Sequence, residues 1–349
     1  MLADSLDVSA APVTVPERPA LRPPLTGRLA HEVELRRARR IARLELVFQI
    51  GALAILALAM GASQAMRTRW FEQVLLALGP VAFLVGGRVA RRVATLDFPS
   101  GYQRALALGL LYRTLAMIAV GSLLLADAVV ALVHHRAPPI GDVVIAGNAI
   151  WRGWAMIAAL VVAAVPPLAL ARRKRRLAGE LQDKGLDADA RAGATTWITA
   201  AIAAAGIAGA RAGVSWADAV AGLAIALDIV RRGWRQIDPA AAALLDRLPR
   251  GVDGAGVDPA VATVLRELAA TPWARVWQLR LREHGPQLAG EIVVEVAPEL
   301  AAGEVAALAE RLHADWRLEP VVVVPTRRLP VAARHDLSLP TAPSSPSAR

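Results

Sequence analysis

The sequence predicts an α-helical membrane protein, a bundle of six transmembrane helices followed by a small α+β domain. Hydrophobic residues make up 55% of the chain, and the mean hydropathy is +0.42 although the formal net charge is +10. The charges are concentrated between long apolar runs, which is the pattern of membrane spans joined by basic loops. After Pro249 the composition turns to that of a soluble domain.

Six apolar runs have the length of a membrane span. The first, Leu46–Met66, holds 21 residues and no charge. A helix rises ~1.5 Å per residue, so ~20 residues cross the hydrocarbon core of a bilayer. The other predicted spans are Trp70–Gly87, Ala105–Val133, Val143–Ala171, Ala192–Ala210 and Val214–Val230. The fifth run is rich in alanine and glycine, so we expect it to pack inside the bundle rather than face lipid.

The distribution of lysine and arginine predicts the orientation. The N-terminal arm, the joints between the second and third and between the fourth and fifth runs, and the exit of the sixth run are strongly basic. The positive-inside rule then places both termini in the cytoplasm, and we expect a plasma membrane protein. The basic residues lie at the ends of apolar runs rather than on one face, which disfavours nucleic-acid binding. The absence of cysteine excludes disulfides and thiolate metal sites.

The chain divides into five segments by composition. We predict a disordered basic cytoplasmic arm (1–44) with a short basic helix at His31–Arg43, a transmembrane domain (45–236), a linker (237–249), a cytoplasmic α+β domain (250–328) and a disordered tail (329–349). In the cytoplasmic domain the periodicity alternates between helix and strand in the order αββαβ. We therefore expect a small two-layer, ferredoxin-like or heavy-metal-binding-like domain.

Several short segments resemble those of the cation diffusion facilitator family. They are FPSGYQRA at Phe98–Ala105, ADA at Ala188–Ala190, SWAD at Ser215–Asp218, ALLDRLP at Ala243–Pro249 and LRLREHGP at Leu279–Pro286. These cation efflux transporters are typically homodimers that exchange Zn²⁺ or related divalent ions for protons. The resemblance implies a homodimer in the lipid bilayer, with a divalent cation as substrate rather than a permanently bound cofactor.

The resemblance also implies a metal site between the second and fifth helices. The matching positions are Glu72 and Leu76 on the second helix, and Ala192 and Thr196 on the fifth. Spacing of i and i+4 places each pair on one helix face. Leucine and alanine replace two of the family's ligands, so only Glu72 and Thr196 remain as candidate metal ligands. One carboxylate and one hydroxyl cannot hold Zn²⁺ as four good ligands would.

Other charges within the apolar runs are candidates for a transport path, because ionisable groups at membrane depth are costly and tend to be functional. They are Asp127, Arg152, Asp187, Asp189 and Asp218. Each also has a structural interpretation. Asp127 and Arg152 can pair with each other, Asp218 suits the N-terminal dipole of the sixth helix, and Asp187 and Asp189 either receive a cation or cap the fifth helix. Arg113 is expected to snorkel to the interface.

Three functions follow from these observations. The first is a divergent transporter that exports a divalent cation, in which Glu72→Ala weakens the flux. The second is a structural or regulatory relative that keeps the fold and has lost transport. The third is a membrane enzyme, but the sequence shows no nucleophile–base pair, ligand cluster or phosphate loop to support it. We favour the first on family resemblance, which is an argument from fold.

Overall fold

Six long helices dominate the structure, a computed structural model that describes residues 25–134, 140–145, 148–252 and 256–329. The helices are α1 (Leu25–Ala59), α2 (Gln64–Val89), α3 (Ala105–Val133), α4 (Arg152–Leu181), α5 (Lys184–Arg211) and α6 (Ala217–Leu244). A short antiparallel hairpin of β1 (Asp142–Ile145) and β2 (Asn148–Trp151) precedes α4. The predicted third span, Ala105–Val133, coincides with α3 at both ends.

Helices α1 to α5 are each long and apolar enough to cross a membrane. Helix α6 has a similar length of 28 residues, but charged residues recur along it from Asp218 to Asp238. These charges lower the mean hydropathy of α6, so it is not among the helices that are apolar enough to cross a membrane. The predicted helical membrane bundle is therefore confirmed, whereas a sixth crossing stays a prediction.

The helices run alternately between two ends of the bundle. At the end that we call the domain end, two ion pairs join the bundle to the C-terminal domain: Arg28 with Glu319, and Lys184 with Glu283. At the opposite end, the turn end, Ser63 Oγ donates a hydrogen bond of 2.6 Å to Asp218. Also there, the guanidinium of Arg211 lies 4.5 Å from the ring centroid of Trp151.

The first predicted run, Leu46–Met66, is wrong because it crosses the turn between α1 and α2. Helix α1 ends at Ala59, and Gly61 adopts φ +52°, a left-handed conformation that favours glycine. Ser63 then caps α2 by accepting a hydrogen bond of 3.2 Å from the backbone N–H of Met66. The supposed joint Arg67–Arg69 consequently lies within the first turns of α2.

Three other predicted boundaries are also wrong, because helices continue beyond the apolar runs. Helix α1 begins at Leu25, so the predicted basic helix His31–Arg43 is confirmed but starts earlier and continues without a break into the first span, while residues 1–24 lie outside the described residues. Helix α4 starts after the hairpin and continues through the basic joint to Leu181. Helix α6 extends to Leu244 through most of the predicted linker. Arginine, lysine, leucine and alanine are good helix formers, so nothing ends these helices at the hydrophobic boundary. Residues 330–349 of the predicted tail are likewise outside the described part.

Helix α5 packs against α2, α4 and α6. Its small residues allow α5 to lie close to these helices. A Cβ on Gly193 would lie 3.0 Å from the carbonyl oxygen of Pro167 on α4, and one on Gly206 would lie 2.4 Å from the Cβ of Ala221 on α6. Close approach of backbones through small residues is typical of membrane helix packing. The alanine- and glycine-rich composition of α5 thus brings its polar side chains close to the neighbouring helices.

The C-terminal domain has the predicted order of elements. They are α7 (Pro259–Ala269), β3 (Trp277–His284), β4 (Gln287–Glu295), α8 (Ala302–His313) and β5 (Val321–Thr326). Strand β4 lies in the middle of the sheet, antiparallel to β3 and parallel to β5. Asp258 caps α7 and accepts two hydrogen bonds, of 2.8 and 2.9 Å, from the guanidinium of Arg317. The finer assignment of a ferredoxin-like fold stays a prediction.

Candidate functional site

One face of α1 carries polar residues into the bundle. Residues 38, 42, 45, 49, 52 and 56 are all buried, and their spacing of three and four residues places them on one side of the helix. Four of them are alanine or leucine, but Glu45 and Gln49 are polar. Buried polar groups require partners, and in both cases other helices supply them.

Glu45 belongs to a group of four buried charges that we call the Lys174 cluster: Glu45 of α1, Arg113 of α3, Lys174 of α4 and Asp189 of α5. The Lys174 Nζ donates hydrogen bonds of 2.8 and 2.7 Å to the two carboxylate oxygens of Glu45, and it also donates to Asp189. The Nη2 of Arg113 lies 3.3 Å from Asp189 Oδ1. No side chain of the four is more than 5% exposed. Two acids and two bases make the cluster formally neutral.

A second group, the Arg69 cluster, consists of Arg69 and Glu72 of α2 with Asp228 and Arg232 of α6. Arg69 donates 3.1 Å to Glu72 and 2.6 Å to the hydroxyl of Thr196 on α5. Arg232 donates to the other oxygen of Glu72 and forms an ion pair of 2.9 Å with Asp228. The side chain of Arg69 is fully buried, and that of Glu72 is 2% exposed. This cluster is also formally neutral.

The two clusters differ in what their cations can do. A lysine that is removed from water can release its proton, whereas an arginine stays charged in proteins. The Arg69 cluster therefore holds two permanently charged side chains, Arg69 and Arg232, whereas the Lys174 cluster holds one, Arg113, beside its lysine. In the described part of the chain, no group of three or more His, Cys, Asp or Glu side chains is placed to hold a metal.

The model of the cation efflux transmembrane domain matches residues 44–245, more than half of the chain. The chain belongs to the cation efflux family. The match confirms the resemblance to the cation diffusion facilitators and identifies the bundle as the transmembrane domain of a membrane cation transporter. Both charge clusters lie within the matched residues. No individually curated protein matches the sequence.

In this cation efflux protein, the four positions suggested by the resemblance are all buried. Glu72 and Leu76 lie on α2, and Ala192 and Thr196 lie on α5, which packs against α2. The guanidinium of Arg69 contacts both Glu72 and Thr196, so a cation of the protein's own stands between the two candidate ligands. Metal binding by Glu72 and Thr196 stays a prediction. Sequence reasoning did not single out Arg69, because it was assigned to a joint between spans.

Asp218 of this protein has a structural role at the turn end. It lies in the first turn of α6, and its carboxylate accepts hydrogen bonds of 2.6 Å from the Ser63 hydroxyl and 2.6 Å from the backbone N–H of Gln64. It therefore stabilises the N-terminus of α2 from the neighbouring helix. The sequence placed Asp218 correctly at the start of α6, where a carboxylate suits the helix dipole, but its hydrogen bonds cap a different helix, α2.

The predicted pairing of Asp127 with Arg152 is wrong. Asp127 accepts a hydrogen bond of 2.8 Å from Gln64 and forms an ion pair with Arg67. Both partners belong to the first turns of α2, which the sequence reading had placed outside the helix. Arg152 begins α4, where its backbone N–H donates to the carbonyl of Gly141.

Asp187 and Asp189 lie inside α5, not before it as predicted. Asp187 forms an ion pair of 2.6 Å with Arg191 on the same helix, and only Asp189 joins the Lys174 cluster. The capping residue of α5 is Asp183, which accepts a hydrogen bond of 2.8 Å from Leu186. Burial raises the pKa of the Asp183 carboxyl above its ordinary value, against the effect of the backbone hydrogen bonds.

Two members of the Lys174 cluster were misread or missed. Arg113 was expected to snorkel, but it is 2% exposed and faces Asp189. Lys174 was counted among the basic residues of a joint. The helical spacing contained the signal: residues 167, 171, 174, 178 and 181 follow one buried face of α4. A single lysine on that stripe, among arginines that lie off it, predicts a buried cation.

The Lys174 cluster depends on a glycine of α2. A methyl group on Gly79 would lie 2.1 Å from Asp189 Oδ1 and 3.0 Å from Arg113 Nη1. Gly79→Ala is therefore expected to displace Asp189 and lower the free energy of unfolding by about 1–3 kcal/mol. The matched control is Gly87→Ala on the same helix, whose Cβ would meet no atom within 4 Å. Equal thermal stability of the two variants in detergent would contradict this packing.

Proposed function

We propose that this protein exports a divalent cation from the cytoplasm in exchange for protons, and that Glu45 and Asp189 form its exchange site. The observation that carries the proposal is the Lys174 ammonium, which is buried between the carboxylates of Glu45 and Asp189. A position that stabilises an ammonium also stabilises a substrate cation. Displacement of the Lys174 ammonium would leave the carboxylates of Glu45 and Asp189 with Arg113 as their remaining cation, a net charge of −1 that still attracts a substrate cation.

The Glu72 position is the weaker candidate for the exchange site. A divalent ion there would meet the permanent charges of Arg69 and Arg232, both of which contact the Glu72 carboxylate. Electrostatic repulsion between these cations and the ion is strong in a bundle interior from which water is excluded. Removal of Glu72 is therefore expected to affect stability more than ion selectivity.

The donor atoms favour a hard cation. Glu45 and Asp189 offer only carboxylate oxygens, which suit Mn²⁺ and similar ions better than Zn²⁺. We therefore expect Mn²⁺ to be transported in preference to Zn²⁺. By family resemblance and charge distribution, we also propose a homodimer in the plasma membrane, with both termini in the cytoplasm. We ascribe no catalytic reaction to the chain.

Proteoliposomes test this proposal. Purified wild type is reconstituted, and the flux of Zn²⁺, Mn²⁺, Fe²⁺ and Co²⁺ is followed with and without a pH gradient. Glu45→Gln and Asp189→Asn are expected to reduce the flux to that of protein-free vesicles, whereas Glu72→Gln retains it. Asp127→Asn is the matched control, because Asp127 lies in a half-exposed ion pair at the turn end. Loss of flux in Glu72→Gln with full flux in Glu45→Gln would overturn the assignment.

A second function is supported by the Arg69 cluster. A guanidinium between Glu72 and Thr196 fills the position at which the family resemblance implies a metal site. This favours a structural or regulatory relative that keeps the fold without transporting metal. The same assay separates the two functions: a folded wild type that moves none of the four ions, at any pH gradient, supports the second and contradicts the first.

A further inference from the structure

A cavity of about 460 Å³ opens at the domain end of the bundle. It lies between the first part of α1, the ends of α2 and α3 that face the domain, the turn between α4 and α5, and the β3–β4 turn of the C-terminal domain. Six basic side chains line it: Arg36, Arg39, Arg91, Arg104, Arg113 and Lys184. Its size is that of a small-molecule site.

Bases outnumber acids in this cavity. Three acidic residues also line it, Glu32, Asp183 and Glu283, which leaves three more basic than acidic side chains. Lys184 is paired with Glu283, and Arg104 is paired with Asp246 outside the lining. In the described part of the chain, Arg36, Arg39 and Arg91 have no carboxylate within ion-pair distance. This excess of positive charge repels cations and attracts an anion.

Arg113 lies at the inner end of the cavity with hydrogen-bonding capacity to spare. Its side chain is 2% exposed, and its Nε and Nη2 have no hydrogen-bond partner within the described residues. The Nη2 is 3.3 Å from Asp189 but makes no hydrogen bond to it. Buried donors that remain unpaired are costly, especially on a charged group. An oxygen of an anionic ligand in the cavity is the kind of acceptor that would satisfy them.

The remaining wall is apolar and selects the class of anion. Leu35, Phe83, Leu106 and Leu110 line the cavity beside the arginines. An inorganic anion gains nothing from contact with this apolar surface. A phosphate group attached to a hydrocarbon tail can instead bind the arginines through its oxygens and pack the tail against the apolar wall. Guanidinium groups bind phosphate oxygens in a bidentate manner, and basic pockets between transmembrane helices bind lipid head groups. We propose that the cavity binds the phosphate group of an anionic phospholipid, with the first part of an acyl chain against the apolar wall.

The site has a direct connection to the Lys174 cluster. Arg113 lines the cavity and also faces Asp189, so a phosphate that engages Arg113 competes with Asp189 for the same cation. A bound lipid thereby weakens the contact between Asp189 and Arg113 and leaves the ion pair between Asp189 and Lys174 in place. The binding proposal itself does not depend on the proposed transport, since a non-transporting protein with this cavity would bind the same lipid.

Lipid binding is measured on the purified full-length protein in detergent, by native mass spectrometry and by thermal unfolding. The probes are phosphatidylglycerol, zwitterionic phosphatidylcholine and inorganic phosphate. The test variant is Arg36→Gln/Arg39→Gln/Arg91→Gln, which removes three lining charges. The matched control is Arg37→Gln/Arg40→Gln/Arg92→Gln, which removes three charges from neighbouring positions outside the lining. Both triple variants leave the buried Arg113 in place, so misfolding of the Lys174 cluster does not confuse the result.

Phosphatidylglycerol is expected to bind and stabilise the wild type, and phosphatidylcholine is not. Each arginine near a phosphate contributes about fivefold in affinity, so the test variant should bind phosphatidylglycerol about 100-fold more weakly. The control variant should change the affinity by less than about threefold at physiological salt. Equal binding by the two triple variants would overturn the site. Saturation by inorganic phosphate without any preference for phosphatidylglycerol would overturn the lipid as its occupant.

Discussion

Lys174→Met is expected to lower the free energy of unfolding of the protein by about 3–5 kcal/mol. The substitution leaves the carboxylates of Glu45 and Asp189 buried with only Arg113 to balance them, and an uncompensated charge in a bundle interior is costly. Methionine keeps a similar length and volume, so the loss reports the missing charge rather than a cavity. Thermal or denaturant-induced unfolding of the purified protein in detergent measures the effect.

Two companion variants separate the charge effect from a general defect. Arg176→Met removes a cation two residues further along α4, where the side chain is 82% exposed, and should leave the stability unchanged. Lys174→Met/Glu45→Gln removes one acid together with the base and should recover part of the loss, with a coupling of about 0.5–3 kcal/mol between the two sites. Wild-type stability of Lys174→Met would show that the ammonium is not enclosed by the two carboxylates.

Arg69→Met is expected to have an effect of the same size, about 3–5 kcal/mol. Without Arg69, the buried Glu72 shares the single charge of Arg232 with the partly exposed Asp228, and the hydroxyl of Thr196 loses its donor. The matched control is Arg67→Met, two residues earlier on α2, where the ion pair with Asp127 is about half exposed. Exposed ion pairs contribute little, so Arg67→Met should cost less than about 1 kcal/mol.

The same variant tests Glu72 and Thr196 as metal ligands. Once the guanidinium is gone, a divalent ion that binds the folded protein there must raise its unfolding temperature, because ligands of the native state stabilise it by mass action. We expect added Mn²⁺ to stabilise Arg69→Met more than it stabilises the wild type. If Mn²⁺ has no such effect, and Arg69→Met/Glu72→Gln behaves identically, these two residues do not hold a metal.

The fold was more predictable than the site because different physical properties determine them. Hydrophobic runs and periodicity are local, and they predicted α3 at both ends and the αββαβ order of the C-terminal domain. The turn at Gly61 and Ser63 was missed because it interrupts the apolar run without a charge. Because of that error, Arg67 and Arg69 were assigned to a joint outside the bundle. They were therefore missed as the partners of Asp127 and Glu72.

The sequence by itself determined that this chain is a helical membrane protein with a small α+β domain, since composition and spacing suffice for that conclusion. Only the tertiary structure decided which charges are buried and what neutralises them. Lys174 stands among five consecutive basic residues, where solvation is the natural expectation, yet it bonds to a carboxylate 129 residues away. The physical reason is that burial depends on which helix face meets a neighbour, and that meeting is set by packing across the whole bundle rather than by any local stretch.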